Sequence, residues 1–387
     1  MGVALVTIGP PATSGKPESK DGPPIAVGLP VDGPLGSFPT QVQVLTPRLA
    51  RFRFRLSDGH DVGVAIAGSG IPLVVVHGFA AAGVLYAQTL SRLVGMGFKV
   101  IAIDTPGHGS TDPVRPFSPL SRYTDQIVMA IQELGINKAV LLGHSMGGRL
   151  VAEVAARQPE RTAGVVLVDA IAGDTWDHLV TGFRILPAGL GVLGATLLAD
   201  TISTLPVLTD PRQALKLAKL VFPIGANHVR RPWRLFGPLV SILLSPASTK
   251  TLDEIVVAGL SAAVIHGDRD LAVPFRTSQF SAKRLRCDFV AVHGAAHSWL
   301  LRDPETLPAI VAELLEGGLG RGLRAALKAD GLDLASPSQD IERAWCTPNS
   351  TVVAPMVPPE LVSRGRHRSP RYRWTVTPAA DKEPQGC

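Results

Sequence analysis

A serine flanked by glycines at a strand-to-helix junction is the first place where this sequence could do chemistry. In Lys138-Ala-Val-Leu-Leu-Gly-His-Ser-Met-Gly-Gly148 an apolar run ends in Gly143-His144-Ser145-Met146-Gly147 and passes directly into the helical pattern Arg149-Leu-Val-Ala-Glu-Val-Ala. This G-x-S-x-G arrangement sets a hydroxyl on a sharp, strained turn. Gly143 and Gly147 leave room for passing backbone, and the helix start aims backbone N–H groups at developing negative charge. Ser145 is expected to be a nucleophile, with the N–H of Met146 as one oxyanion donor. The run Leu73-Val-Val-Val-His-Gly-Phe-Ala80 ends a second apolar strand and offers the N–H of Phe79 as the other donor. His77 is expected to hold that loop by hydrogen bonds. Asp104 and His108, in Asp104-Thr-Pro-Gly-His-Gly-Ser110, are expected to be structural, since no third ligand stands at a metal-binding spacing.

Serine is a poor nucleophile unless a base, itself oriented by a third group, removes its proton. Those partners should follow in the order acid, then histidine. Val264-Ile-His-Gly-Asp-Arg-Asp-Leu-Ala-Val-Pro274 holds two candidate acids. Asp270, three residues past Gly267 and four before Pro274, is better placed than Asp268, which is expected to cap the loop. In Val290-Ala-Val-His-Gly-Ala-Ala-His-Ser-Trp299, His297 lies past Gly294 on the way to the final helix and is the expected base. His293 is expected to end its strand in a buried position.

The elements that must hold these residues are legible around them. Arg51 to Leu56 and Val62 to Ile66 read as a hairpin. Short apolar strands then alternate with amphipathic helices, the pattern of a mostly parallel sheet covered on both faces. The expected strands are Pro72 to Val76, Lys99 to Ile103, Ala139 to Leu142, Gly164 to Val168, Ala262 to His266 and Asp288 to Val292. The expected helices are about Gly83 to Val94, Ser121 to Leu134, Met146 to Arg157 and Pro304 to Leu315. Between Val168 and Ala262 the rhythm stops in favour of helical stretches rich in Leu, Val and Phe, where a helical cap would sit. The predicted organisation is a disordered Pro/Gly-rich arm over 1–42, a core over 43–170 and 251–317, a helical cap over 171–250, and a weakly structured basic tail over 318–387. The arm assignment rests on seven Gly and eight Pro among the first forty residues.

From Arg51 to Gly317 these motifs, in this order, resemble the α/β-hydrolase superfamily, and among its members the capped serine hydrolases of the esterase and lipase type. The resemblance implies an α/β-hydrolase fold, a Ser145–His297–Asp270 triad and an oxyanion hole at Phe79 and Met146. Epoxide hydrolases and haloalkane dehalogenases of this fold carry aspartate where Ser145 stands. The interval Ile171 to Lys250 contains neither the Tyr of epoxide hydrolases nor the Glu of proline iminopeptidases. The expected activity is hydrolysis of carboxylic esters with an apolar acyl group, such as monoacylglycerol, and with no cofactor or metal. Carbon–carbon bond hydrolysis and cofactor-free haloperoxidase chemistry share the triad. Arg184, Asn227, His228 and Arg230 are available to recognise a dienoate. A non-catalytic binding protein on the same framework is the alternative of another class.

Composition narrows the setting. Of the net charge of +6, six basic against two acidic side chains fall between Leu361 and Cys387. The remainder is near neutral, which argues against a nucleic-acid footprint on the folded domain. No stretch reaches the roughly 20 apolar residues of a membrane span, although the Arg-rich tail leaves peripheral contact with anionic lipid open. The start lacks the pattern of a secretory signal. Three cysteines without ligand spacing suggest a reduced, cytoplasmic setting.

Overall fold

The computed structural model describes residues 6–7, 44–47, 50–79, 86–115, 117–186, 233–353, 362–365 and 369–379. Its frame is a ten-stranded sheet. In chain order the strands are β1 (Val6–Thr7), β3 (Ala50–Arg55), β4 (Asp61–Ala67), β5 (Ile71–Val76), β6 (Phe98–Ile103), β7 (Ala139–His144), β8 (Thr162–Val168), β9 (Ala262–Gly267), β10 (Asp288–His293) and β12 (Arg373–Thr377). Two further strands, β2 (Val44–Pro47) and β11 (Val362–Gly365), form a separate antiparallel pair.

The spatial order is β1-β3-β4-β6-β5-β7-β8-β9-β10-β12. The six strands from β6 to β10 run parallel, and β1, β3, β4 and β12 add antiparallel margins. The chain winds outward from β5 to β6, then crosses back to place β7 on the other side of β5. At such a reversal the loops leaving the carboxyl ends of adjacent strands diverge and open a crevice. The loop carrying His77 to Phe79 and the one carrying Ser145 leave from β5 and β7, which pair directly.

Strand periodicity sends alternate side chains to the two faces. Val74 and Val76 join the apolar cluster on one side, Leu73 and Val75 the cluster on the other. The first face is covered by α2 (Leu120–Glu133), α3 (Met146–Arg157), α6 (Thr249–Val257) and α7 (Phe275–Leu285), the second by α1 (Ala87–Val94), α9 (Thr306–Glu316), α10 (Gly318–Ala329) and α11 (Ser338–Trp345). A short helix, α8 (Trp299–Arg302), follows the loop of His297. Of the expected cap, the ends are seen as α4 (Asp174–Ile185) and α5 (Trp233–Leu243), while Leu190, Leu193, Leu197, Leu198, Asn227, His228 and Arg230 lie outside the described residues. Arg149 of α3 and Arg184 of α4 donate to the carbonyls of Pro246 and Ser245, and so tie α3 and α4 to the segment that follows α5.

The C-terminal region corrects the sequence expectation. The described residues among 318–387 are not a weakly structured tail, because α10, α11 and β12 all belong to the fold. The main chain of Asn137 and Lys138 donates to the carbonyl of Trp345, and Lys138 pairs with Asp330 at 2.6 Å. Glu342, buried, meets Lys99 of β6 at 2.8 Å and accepts the N–H of Gly70. Five residues of β12 extend the sheet beside β10. Leu319, Leu323, Leu327 and Trp345 supply the apolar stripe that fastens the two helices. Scattered along a charged stretch, those positions gave a weaker signal than the preceding strand runs. The arm expected over 1–42 is described only at Val6–Thr7, which pair with β3, so that piece belongs to the sheet. Among the described residues no helix is long and apolar enough to cross a membrane.

Trp345 is 1 % exposed and packs against the second face of the sheet. Trp345→Ala is expected to cost about 3–5 kcal/mol in urea unfolding, the usual range for deleting a buried tryptophan. A loss below about 1 kcal/mol would mean that α11 is an appendage rather than part of the core.

Candidate active site

The turn at Ser145 takes its shape from close backbone crossing. Ser145 has φ 56° and ψ −118°, a conformation that costs a non-glycine residue about 1–3 kcal/mol. A Cβ on Gly143 would come within 2.3 Å of the Gly147 carbonyl oxygen, and one on Gly147 within 2.1 Å of that of Val76. Glycine is therefore the only residue that fits at either position, and the two together press the start of α3 against the end of β5. The Ser145 N–H donates to the Val168 carbonyl, and the Ser145 carbonyl accepts from Gly148 and Ile171.

The three expected catalytic side chains meet. His297 Nε2 lies 3.0 Å from Ser145 Oγ, and His297 Nδ1 lies 2.7 Å from Asp270 Oδ2. A carboxylate only accepts, so Nδ1 carries the proton and Nε2 is left to accept from the serine hydroxyl. The other carboxylate oxygen of Asp270 takes the N–H groups of Ala272 and Val273, at 2.7 and 2.8 Å. Burial alone would raise the Asp270 pKa, but the His297 ring and these donors hold it below the ordinary carboxylate value. Asp268 stands apart from the serine, capping Gly294 N–H at 2.7 Å and pairing with His293 at 3.0 Å. His293 is exposed rather than buried, because its side chain points to the surface where Asp268 and Thr375 receive it.

The loops expected to frame the site are braced from within. His77, fully buried, lies with Nδ1 against the Gly78 carbonyl and accepts the N–H of Thr105 at Nε2. Asp104 receives Ser110 N–H, and His108 bonds within its own turn. A Cβ at Gly78 would approach Ser145 Cβ to 3.0 Å, so the peptide leading into Phe79 lies directly against Ser145. Met146 is the first residue of α3, where backbone N–H groups lack helical partners.

Two buried polar residues here were not singled out from the sequence. His266 Nε2 lies 3.1 Å from the Val273 carbonyl and 3.3 Å from Asp270 Oδ2, while its Nδ1 accepts from Ser278. Asp169 takes the N–H groups of Gly267 and of the Trp299 indole, each at 2.8 Å. Both residues stand at carboxyl ends of strands, which is the signal that could have drawn attention to them. Atoms of Asp169, His266 and Asp270 able to bind a metal lie within 4.8 Å of one another. All of them are already engaged by protein donors or acceptors, so the group is held as a hydrogen-bonded unit. Burial, reinforced by the Asp270 charge, keeps the Asp169 pKa well above the carboxylate range. Burial also lowers the pKa of His144 to about 3 and that of His266 to about 4.

Residues 71–304 match the family described as alpha/beta hydrolase fold. A non-heme haloperoxidase-like protein of Mycobacterium phage D29 is 34 % identical over 262 residues, spanning 66 % of this chain and 92 % of that one. A pimeloyl-[acyl-carrier protein] methyl ester esterase of Neisseria meningitidis is 26 % identical, over 63 % of this chain and 93 % of its own. Among solved structures, a thermophilic esterase of Thermogutta terrifontis superposes with a TM-score of 0.53 at 20 % identity, covering 69 % of this chain and 98 % of that one.

The buried histidines set a pH dependence of stability. Unfolded, both titrate near 6.5, whereas folded they stay neutral down to about 3 and about 4. In that window the unfolded chain binds two more protons, and Asp169, protonated in the folded state, offsets one of them. Stability should therefore fall as pH drops from about 6.5 to about 4, by about 1.4 kcal/mol per pH unit. Urea unfolding at pH 7, 6 and 5 measures this slope, and His266→Asn should flatten it. An unchanged slope in that variant would show that His266 does not stay neutral.

Proposed function

Because the chain belongs to the α/β-hydrolase fold family, we propose that it is a serine hydrolase that cleaves carboxylic esters. The observation that carries the reading is the continuous path Ser145 Oγ, His297 Nε2, His297 Nδ1, Asp270 Oδ2. Ser145 attacks the ester carbonyl while His297 takes its proton. Asp270 keeps the imidazolium in place and stabilises its charge. The backbone N–H groups of Phe79 and Met146 receive the oxyanion. His297 then returns the proton to the departing alcohol, and the same base draws a proton from water to release the acyl group. The strained backbone at Ser145 lifts its hydroxyl above the strand ends, where a substrate carbonyl can approach.

An apolar acyl group is the substrate feature that best suits the cap, whose visible ends carry exposed Ile185, Leu186 and Leu244. Similarity to the haloperoxidase-like phage protein favours one second reading, in which hydrogen peroxide instead of water captures the acyl-enzyme and leaves as a peracid. Peracid formation from acetate and hydrogen peroxide, dependent on Ser145, distinguishes the two.

Ser145→Ala should lower kcat for ester cleavage by about 10⁴-fold or more while leaving the fold intact. A panel of p-nitrophenyl esters from acetyl to octanoyl, run on both proteins, tests this, and retention of more than a tenth of the activity would refute the nucleophile. With an apolar acyl site, kcat/KM should climb along the panel by up to about fourfold per methylene, the equivalent of roughly 0.8 kcal/mol. A falling profile would remove the lipid-ester reading and keep the hydrolase.

Asp270→Asn should cost about 10³- to 10⁴-fold in kcat, because an amide neither enforces the Nδ1–H tautomer of the neutral imidazole nor stabilises the charge of the imidazolium. Asp268→Asn should cost far less, since its partners are Gly294 and His293. Equal losses would mean that both acids serve the loop structurally.

A further inference from the structure

We propose that Tyr86 and His144 form a positioning relay that couples the nucleophile turn to the loop of the base, a proposal that rests on the serine-hydrolase reading. His144 ends β7 and immediately precedes the nucleophile. Its Nε2 lies 3.0 Å from the backbone carbonyl oxygen of His297, and its Nδ1 lies 3.0 Å from the phenol oxygen of Tyr86.

The chemistry of the three groups fixes the direction of both bonds. A carbonyl only accepts, so His144 Nε2 carries the proton and Nδ1 is left as acceptor. The Tyr86 hydroxyl must then donate to Nδ1. The chain runs from Tyr86 O–H to His144 Nδ1, and from His144 Nε2–H to the His297 carbonyl. One end is the residue that opens α1, the middle is the nucleophile turn, and the other end is the main chain of the base.

The site is tight enough for this chain to matter. The His144 and His297 rings lie 4.9 Å apart, and Tyr86 meets His144 edge to face at 5.7 Å. A Cβ on Gly78 would come within 3.0 Å of His144 Nδ1. Tyr86 and His144 are both buried, and Asp169 Oδ2, 3.6 Å from His144 Nε2, already receives the Trp299 indole. Asp270 fixes the tilt of the His297 ring from its Nδ1 side. The relay fixes the peptide to which that ring is attached, and so the reach of Nε2 to Ser145. A shift of about 1 Å in such a geometry costs about 10²-fold in rate.

His144→Leu should lower kcat on a p-nitrophenyl ester by about 10²-fold, with KM within about threefold of wild type. His144→Gln keeps an N–H near the Nε2 position and should recover about tenfold of that loss. Tyr86→Phe, which removes a single oxygen and so tests the relay in a folded protein, should cost about fivefold to tenfold. The double variant Tyr86→Phe, His144→Leu should be no slower than His144→Leu, because the two groups act in one chain. Backbone amide exchange over residues 295–299, read without substrate, should accelerate in His144→Leu and in Tyr86→Phe. Unchanged exchange, kcat within threefold of wild type in His144→Leu, or multiplying losses would each overturn the relay. Accelerated exchange in the variants, beside a wild-type protein that shows neither ester turnover nor Ser145-dependent fluorophosphonate labelling, would overturn the hydrolase reading and keep the coupling.

Discussion

The backbone at Ser145 has to pass from a strand into a helix in one residue, and much of the surrounding structure exists to make that possible. At φ 56° the serine occupies a conformation that most residues avoid, and it persists because its peptide groups are pinned on several sides. Its N–H is taken by β8, and its carbonyl by the first turn of α3 and by Ile171. Gly147 must lie flush against the end of β5, which forces β5 and β7 to be neighbours and places the Phe79 loop beside the hydroxyl. The adjacency of the two loops and the placement of the hydroxyl at the strand ends thus follow from one backbone constraint.

Polar groups buried around that turn would be a liability if any were unmatched. They are matched by a network in which each ring has one evident tautomer. His266 donates toward Val273 and Asp270 and accepts from Ser278, and His144 donates to His297 and accepts from Tyr86. Satisfied networks of this kind rigidify a site because each member has few alternative partners. Keeping the two histidines neutral in the folded state is the energetic consequence, and it makes acid unfavourable to the fold.

The carboxyl edge of the sheet carries its own reinforcement. β12 covers β10, the strand that leads to His297, and α10 and α11 close the face beneath. Asp303 accepts the N–H of Arg371 close behind α8, while Asp288 at the start of β10 accepts those of Gly318 and Ala379. The loop of His297 is therefore buttressed by chain that lies far along the sequence from the motifs.

The local sequence was enough to single out the residues that meet at the candidate site: glycines around Ser145, the order of serine, acid and histidine, and apolar runs too short for anything but buried strands. These features are legible because steric demands at a tight turn and burial on both faces of a strand restrict residue type position by position. The sequence also favoured Asp270 over Asp268 by its distance from Gly267 and Pro274, and the structure sets Asp270 against His297. Other features belong to the tertiary structure alone. Nothing local marks Tyr86, which reaches His144 only because α1 packs on the sheet at β6, or the exposure of His293, which follows from the partner strand β12. The helices of residues 318–345 and the strand at 373–377 bury a sparse apolar stripe against a surface formed by distant strands. Their order is decided by what they dock on, and a one-dimensional pattern carries no record of that surface.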